Sequence, residues 1–335
     1  MDPIMNLWEI YHGDIPGFLR EAAETKAMQR LNHVGMNCGC EYTSFPLFQS
    51  CGPYSRFDHS MGTALIVWHF TEDRTQAMAG LLHDIATPVF AHVIDFFHGD
   101  HMKQESTEEG TRSLIAGSEE LQQILTDCGL TTDAVCDYHR YPVADNDSPK
   151  LSADRLEYTL GNLVNYGFAT RSQVRDYFQN LLARPNETGE TELQFRDRET
   201  AFSFCRGMLQ CARVYVSEED RYAMEMLAEL LRDAIHGGAL AENDLYATEP
   251  QVIEKLKCSA EFARRWEWYC SLNQMLRAER PGKENGWRQI FAKKRYIDPL
   301  VLGEGRVSEI SGEMKEKYTE FLEETQHVWL LGTSL

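Results

Sequence analysis

Apolar residues recur at intervals of three and four positions through most of the 335-residue chain. This spacing places them on one face of a helix, so it predicts a series of amphipathic helices. The predicted helices cover residues 19–34, 61–70, 74–84, 151–165, 201–215, 218–235 and 311–330. Ser60 is the expected cap of the second helix, and the Ser-Thr-Glu-Glu run at 106–109 predicts the start of a further one.

One more helix and two short β segments complete the predicted elements. Residue 172 is a serine that would cap the helix, whose apolar positions are Val174, Tyr177, Phe178, Leu181 and Leu182. Residues 184–200 fit either a hairpin or a loop, whereas 296–301 and 306–310 flank two glycines and predict a small hairpin. The predicted fold class is mainly α, with minor β structure near the end of the chain.

The apolar run at 77–82 ends in two adjacent polar residues, His83 and Asp84. Alanine, methionine and leucine favour helix, so a buried helix is expected to carry two metal-type ligands at its end. A buried, ionised carboxylate is unfavourable unless a cation or a hydrogen-bond network compensates it. For these two residues alone, a structural pair at a helix end is the simpler interpretation. A metal site is indicated only if other residues of the chain supply further ligands.

Composition and charge narrow the class of protein. A hydrophobic share of 43% and an aromatic share of 11% are typical of a folded chain with a sizeable core. The net charge of −19 argues against a protein whose main task is to bind DNA or RNA backbone. It still allows a small phosphorylated ligand, because a metal or one basic spot can hold a phosphate in an acidic protein.

The nine cysteines do not form a disulfide framework. Their number is odd, their spacing is irregular and no Cys-x-x-Cys pair occurs, so we expect reduced thiols in a cytoplasmic protein. The N-terminus has no basic region followed by an apolar one, so no signal peptide is expected. The longest apolar runs are too short to span a bilayer, and no membrane partner is expected.

Two residues at predicted helix boundaries can complete a site with His83 and Asp84. They are His59 and Asp154, the second of which lies in a partly apolar segment where an unpaired carboxylate is unfavourable. Two imidazoles and two carboxylates suit one divalent ion, Mn²⁺, Fe²⁺, Ni²⁺, Zn²⁺ or Mg²⁺. An octahedral ion held in this way keeps about two positions for water and a phosphoryl oxygen, which is what hydrolysis of a phosphate ester requires.

The order of these four residues resembles the H…HD…D motif of HD-domain phosphohydrolases. More narrowly, the chain is similar to the deoxynucleoside triphosphate triphosphohydrolase branch. The segments that carry the resemblance are Met-Gln-Arg-Leu at 28–31, Arg-Phe-Asp-His-Ser-Met-Gly at 56–62, Leu-His-Asp-Ile-Ala-Thr-Pro-Val-Phe-Ala-His at 82–92 and Ala-Asp-Arg-Leu-Glu-Tyr at 153–158. A fainter likeness continues through 213–215 and 294–299.

The resemblance implies a role for each matching residue. The implied metal ligands are His59, His83, Asp84 and Asp154. His92 matches a histidine that contacts phosphate groups, and Glu105 matches the glutamate of a catalytic His-Glu pair; both are candidate catalytic residues. Arg56 and Tyr158 match residues that bind substrate. The alternatives are a surface or supporting role for His92 and Arg56, helix capping for Glu105 and core packing for Tyr158.

Four positions depart from the pattern of that branch. Thr87 stands where a histidine is usual, and Gln104 replaces the histidine of the His-Glu pair. Met36 and Asn162 stand where a glutamine and an aspartate contact the sugar. The implied metal site is complete, whereas the residues that recognise a triphosphate and a deoxyribose are reduced in number. A deoxynucleoside triphosphate substrate therefore does not follow.

The resulting hypothesis is an HD-domain helical bundle at residues 1–183 with a C-terminal helical extension at 184–335. Its expected function is metal-dependent hydrolysis of a nucleotide or another small phosphate ester by an activated water. A 5′-nucleotidase or a cyclic-nucleotide phosphodiesterase is a related alternative. A second alternative is a degenerate module that binds a nucleotide and regulates a partner without turnover. Related proteins commonly form homo-oligomers, and we expect the same here.

Overall fold

The structure of the protein is a computed structural model that describes residues 7–99 and 110–334. The helices before residue 180 are α1 Trp8–Tyr11, α2 Gly17–Ala23, α3 Lys26–Gln29, α4 Arg56–Thr71, α5 Arg74–Leu82, α6 Val93–His98, α7 Thr111–Gly117, α8 Glu119–Asp127, α9 Thr132–Val135, α10 Ala153–Asn165 and α11 Arg171–Gln179. The later helices are α12 Arg198–Val214, α13 Glu218–His236, α14 Glu249–Lys257, α15 Ala260–Ser271, α16 Val307–Ile310 and α17 Gly312–Glu323. The predicted mainly α class is confirmed.

The strands form two small sheets. They are β1 Leu181–Pro185, β2 Thr191–Phe195, β3 Gln274–Ala278, β4 Leu300–Val301, β5 Gly305–Arg306 and β6 Trp329–Thr333. The larger sheet has the order β1-β2-β4-β5, in which β2 and β4 are parallel and the other pairs antiparallel. The predicted hairpin near the end is present only as the two-residue strands β4 and β5, because most of its predicted second strand forms α16 instead. The segment for which a hairpin and a loop were both possible contains the hairpin of β1 and β2.

Buried apolar side chains form two clusters, and both draw on distant parts of the chain. The first packs α4, α5 and α10 against α12 and α17, so that Leu65 and Phe321 belong to one core. The second packs the segment around α6 against α13, α14 and α15, with Phe90 and Leu227 among its members. Each cluster includes residues from both sides of position 184. The division into two domains there stays a prediction.

The helix α4 begins earlier than the sequence pattern indicated. Ser55 caps it: its hydroxyl accepts from the backbone N–H of Asp58, and the Asp58 side chain accepts from the backbone N–H of Ser55. This reciprocal pair satisfies two donors that a helix start leaves unpaired. Ser60, the predicted cap, is instead buried inside the helix. His59 consequently lies in the first turns of α4 rather than before it.

Three other predicted helices have different limits. The helix at 19–34 is broken into α2, α3 and a 3-10 turn, Arg30–His33. The helix after residue 172 is capped by Thr170 and ends at Gln179, because the next residues pair with β2. The last helix ends at Glu323, since Trp329–Thr333 pairs with β3. The predicted helix start at 106–109 lies outside the described residues.

Within the described part of the chain, no helix combines the length and the apolar character that crossing a membrane requires.

Candidate metal centre

Three helices deliver predicted ligands to one point in the first core. His59 comes from α4, His83 follows the last residue of α5, and Asp154 lies in the first turn of α10. The start of α10 is set by Ser152, whose hydroxyl accepts from the backbone N–H of Arg155. Both histidines are buried, with side-chain exposures of 2% and 4%, while that of Asp154 is 17%.

The ligand atoms of these three residues lie close together. His59 Nε2 is 2.9 Å from Asp154 Oδ1 and 3.3 Å from His83 Nε2. His83 Nε2 is 3.6 Å from the same Asp154 oxygen. Among the described residues, these three form the group of histidine, cysteine and acidic side chains that can converge on one ion, within 4.8 Å of one another. The fold therefore brings them together, although they are up to 95 residues apart.

The donor set fits a divalent cation. Neighbouring ligands of an octahedral ion at about 2.1 Å are about 3 Å apart, which is near the separations of the three atoms. The His83 Nδ1–H donates to the Gly80 carbonyl at 2.7 Å. Because a carbonyl can only accept, this bond places the proton on Nδ1 and leaves Nε2 as the electron-pair donor of the neutral ring. The ring thus presents its free nitrogen to the ion position.

Glu157 orients the other histidine, and the sequence pattern did not single it out. Its Oε2 accepts from His59 Nδ1 at 2.7 Å and from the Tyr54 hydroxyl at 2.5 Å. The Tyr11 hydroxyl donates to Oε1 at 3.4 Å. A carboxylate behind a metal-binding imidazole fixes the ring and raises its basicity. The available signal was spacing, because Glu157 follows Asp154 by three residues on the same face of α10.

The electrostatics of this cluster favour positive charge. Burial lowers the pKa of His59, but its hydrogen bonds to Asp154 and Glu157 outweigh burial and raise the pKa to about 10. Burial raises the pKa of Asp154, yet the hydrogen bond to His59 and the positive charge of that ring hold it well below its usual range. The site stabilises a cation between the imidazoles and the carboxylate, and a metal ion would replace the shared proton.

Asp84 lies beside this group but its carboxylate is turned toward Arg56. Asp84 Oδ2 accepts from Arg56 Nη1 at 2.9 Å and is 3.7 Å from His83 Nε2. Its Oδ1 accepts from the Thr87 hydroxyl at 2.8 Å. Burial raises the Asp84 pKa, but the Arg56 guanidinium and the neighbouring imidazoles together outweigh burial and hold the pKa well below its usual range, so the carboxyl is ionised. Metal ligation by Asp84 stays a prediction, and Thr87 acts here as a hydrogen-bond donor to it.

The remaining predicted site residues have different surroundings. His92 lines the same cleft, and its Nδ1 is 2.8 Å from Asp95 Oδ2. Burial lowers its pKa more than Asp95 raises it, which favours the neutral ring. Tyr158 also lines the cleft, and its ring packs against those of His59 and Tyr215. The candidate catalytic Glu105, with Gln104 before it, lies outside the described residues.

A single cleft joins these residues, with about 1010 Å³ of empty space that is partly open to solvent. Met36 and Asn162, two of the departures from the resemblance, line it together with Lys293 and Arg295. Two of the residues that line it have a buried polar atom with no hydrogen-bond partner among the described residues, namely Nε of Arg56 and Oδ1 of Asn162. The walls of the cleft therefore contain a donor and an acceptor that the described residues leave unused.

No family model matches the chain. The chain is 24% identical over 258 residues to uncharacterized protein YdhJ of Bacillus subtilis, and the match covers 76% of each chain. It is 29% identical over 190 residues to metal-dependent phosphohydrolase cns2 of Cordyceps militaris, or 56% of this chain and 53% of that protein. This distant similarity supports an HD-type, metal-dependent phosphohydrolase and does not distinguish the deoxynucleoside triphosphate branch from others.

Proposed function

We propose that the protein is a metal-dependent phosphohydrolase that cleaves a nucleotide or another small phosphate ester. The observation that carries the proposal is the convergence of His59, His83 and Asp154, with each imidazole oriented by a hydrogen bond on its far nitrogen. An ion bound there supplies Lewis acidity, since it draws electron density from a phosphoryl oxygen and makes water easier to deprotonate. Asp84 is proposed as a further ligand.

Arg56 and His92 are proposed to contact the phosphate. The Arg56 guanidinium is held by Asp84 through Nη1, which leaves Nε, a buried donor without a partner among the described residues, for a phosphate oxygen. A fixed guanidinium stabilises the negative charge that develops on such oxygens. The bond between His92 and Asp95 directs the other ring nitrogen away from Asp95, where it can accept or donate a proton.

The rest of the cleft favours a substrate with hydroxyl or N–H donors. The Asn162 amide donates to the Tyr215 hydroxyl at 2.8 Å, while its oxygen is buried without a partner in the described part of the chain. Tyr158 and Tyr166 add aromatic rings on which a base can stack. These features support a nucleotide. With Thr87 bonded to Asp84 and fewer residues to hold a triphosphate, we propose a phosphate ester rather than a deoxynucleoside triphosphate.

A binding protein without turnover is the second candidate. The departures at Met36 and Asn162, which line the cleft, and at Thr87, which is bonded to Asp84, motivate it because they leave the metal-ligand group intact. Such a module would bind a nucleotide at the metal and signal that binding to a partner or to a second copy.

We also propose that the protein assembles as a homo-oligomer. A cytoplasmic location is proposed as well, because its nine cysteines are free thiols.

Metal analysis coupled to a phosphate-release screen tests the proposal. Purified protein is assayed for bound metals and then incubated with Mn²⁺ or Fe²⁺ and a panel of nucleotides and phosphomonoesters. Product identity separates triphosphate release from monophosphate release or ring opening of a cyclic nucleotide. D84A should lose metal and hydrolysis together, and a metal-free D84A with full activity would overturn the mechanism. Tight nucleotide binding without turnover would favour the second candidate.

A further inference from the structure

A carboxylate in the C-terminal half contacts both loops that lead to the proposed phosphate contacts. Glu249 is the first residue of α14 and is 3% exposed. Its Oε1 accepts from the backbone N–H of Gly35 at 2.8 Å and from that of Phe90 at 3.3 Å. Its Oε2 accepts from the Tyr42 hydroxyl at 2.8 Å. One side chain thus joins three segments that are distant in sequence.

The first of these loops sets the start of α4. Gly35 forms an isolated antiparallel bridge with Ser55, and the Arg56 N–H donates to the Val34 carbonyl at 2.8 Å. A Cβ atom on Gly35 would lie 2.1 Å from Glu41 Oε1, so a larger residue there would require the Glu41 side chain to move. Because the loop pairs with the residues that cap α4, its position determines where the Arg56 backbone stands.

The second loop has an unfavourable backbone conformation just before His92. Phe90 and Ala91 have φ angles of 58° and 46°, in the left-handed region that non-glycine residues rarely adopt. Such residues persist only where surrounding contacts hold them. The contacts here are the bond from Phe90 to Glu249 and a bond from the Val89 N–H to the Leu245 carbonyl at 2.8 Å. Both come from the segment at the start of α14.

We propose that Glu249 is a positioning residue for the phosphate-binding side of the cleft. It holds the loop before Arg56 and the loop before His92 in one fixed relation, through a shared oxygen. The metal ligands are oriented by other groups, Gly80 and Glu157. The proposal rests on the proposed function, because it assigns Arg56 and His92 to the phosphate. Loss of Glu249 should therefore weaken phosphate binding and leave metal binding intact.

Hydrogen exchange tests the positioning role without a substrate or a metal. In E249A, backbone amides in residues 33–38 and 88–94 should exchange about tenfold faster or more, because each segment loses its bond to the Glu249 side chain. Y42F is the matched control: it removes one bond to the same carboxylate and keeps the ring, with its edge contact to Phe90. E249Q keeps an oxygen acceptor at the same place and should restore most of the protection.

Binding measurements separate positioning from a general loss of structure. Calorimetry with Mn²⁺, and then with inorganic phosphate on the Mn²⁺-loaded protein, should show phosphate affinity about tenfold lower in E249A. Mn²⁺ affinity should stay within about twofold of the unaltered protein, and Y42F should match that protein in both. A parallel fall of both affinities in E249A would indicate general disruption and would overturn the proposal.

Further outcomes distinguish this proposal from the function on which it rests. If the unaltered protein binds neither Mn²⁺ nor phosphate, the proposed function fails, and the exchange rates still decide whether Glu249 holds the two loops. If E249A does not fold, E249D makes the same test, because a side chain shorter by one methylene cannot reach both amides. Unchanged exchange in both segments of a folded E249A or E249D would refute the positioning role.

Discussion

The two ends of the cleft differ in how completely the protein satisfies its own polar groups. At the metal end, both nitrogens of His59 have hydrogen-bond partners, and both oxygens of Asp84 accept bonds. At the substrate end, Arg56 Nε and Asn162 Oδ1 are buried and have no partner among the described residues. An unsatisfied buried polar atom costs about 1–3 kcal/mol. The end that carries the candidate metal ligands is therefore the more completely hydrogen-bonded of the two.

Removing a metal ligand should have the largest effect. D154A deletes the carboxylate whose Oδ1 lies 2.9 Å from His59 Nε2 and 3.6 Å from His83 Nε2. Bound metal should be lost, because one of the proposed ligands is missing. Hydrolysis should therefore fall by roughly a thousandfold or more. Metal content and turnover are measured on the same sample, with D147A, at an exposed acid, as the control. Normal metal content in D154A would remove Asp154 from the site.

Weakening the group behind His59 should have a smaller effect at the same end. E157Q replaces the carboxylate that orients the imidazole, and such changes lower metal affinity by about 10- to 100-fold. Y11F is the matched comparison, because its hydroxyl is 3.4 Å from the same carboxylate while the Tyr54 hydroxyl is 2.5 Å away. Titration with Mn²⁺ should rank the affinities as unaltered protein, then Y11F, then E157Q. Equal affinity for all three would show that Glu157 does not orient the ligand.

A change at the substrate end should separate binding of phosphate from binding of metal. R56K keeps a positive charge near Asp84 but loses the planar donor set, including the Nε that no described residue satisfies. Turnover should fall roughly tenfold to a hundredfold, while metal content stays near normal. Steady-state kinetics and metal analysis of R56K together check this. Loss of metal in R56K would mean that Arg56 serves the metal end through Asp84.

The smallest expected effect is a pH dependence of the free energy of unfolding. It arises from Glu41, the neighbour of Glu249. Burial and the neighbouring Glu249 raise the pKa of Glu41 to about 8. Between the ordinary carboxyl pKa and pH 8, the folded state holds a proton that the unfolded state has lost. Stability contributed at this position therefore falls as pH rises through that window. E41Q removes the titration and should be more stable at pH 8, by on the order of 1–3 kcal/mol.

Urea unfolding at pH 5 and pH 8 measures this difference. The free energy of unfolding of E41Q should exceed that of the unaltered protein at pH 8 and approach it at pH 5. E190Q, at an exposed glutamate, should show no such change with pH. The same pH dependence in E41Q and in the unaltered protein would place the titrating group elsewhere.

The sequence pattern named the residues of the candidate metal centre because each of them lies in a short motif, and their ligation of a metal stays a prediction. His83 and Asp84 close an apolar helix, and His59 and Asp154 occur in motifs of fixed order. It did not reach Glu157, whose importance depends on the side chain of another helix. It also misplaced the start of α4, because it predicts Ser60 as the cap, whereas Ser55 and Asp58 form the capping box.

Local sequence is enough to set the mainly α class, the apolar faces of the long helices and the residue types that can bind a cation. Those properties follow from spacing and side-chain chemistry, which act over one or two turns. Tertiary structure decides three other features. Leu181 belongs to a strand, Asp84 points toward Arg56, and Glu249 is bonded to two loops. These contacts join residues that are far apart in the chain. They therefore stabilise the protein only in the folded state, after the helices have packed.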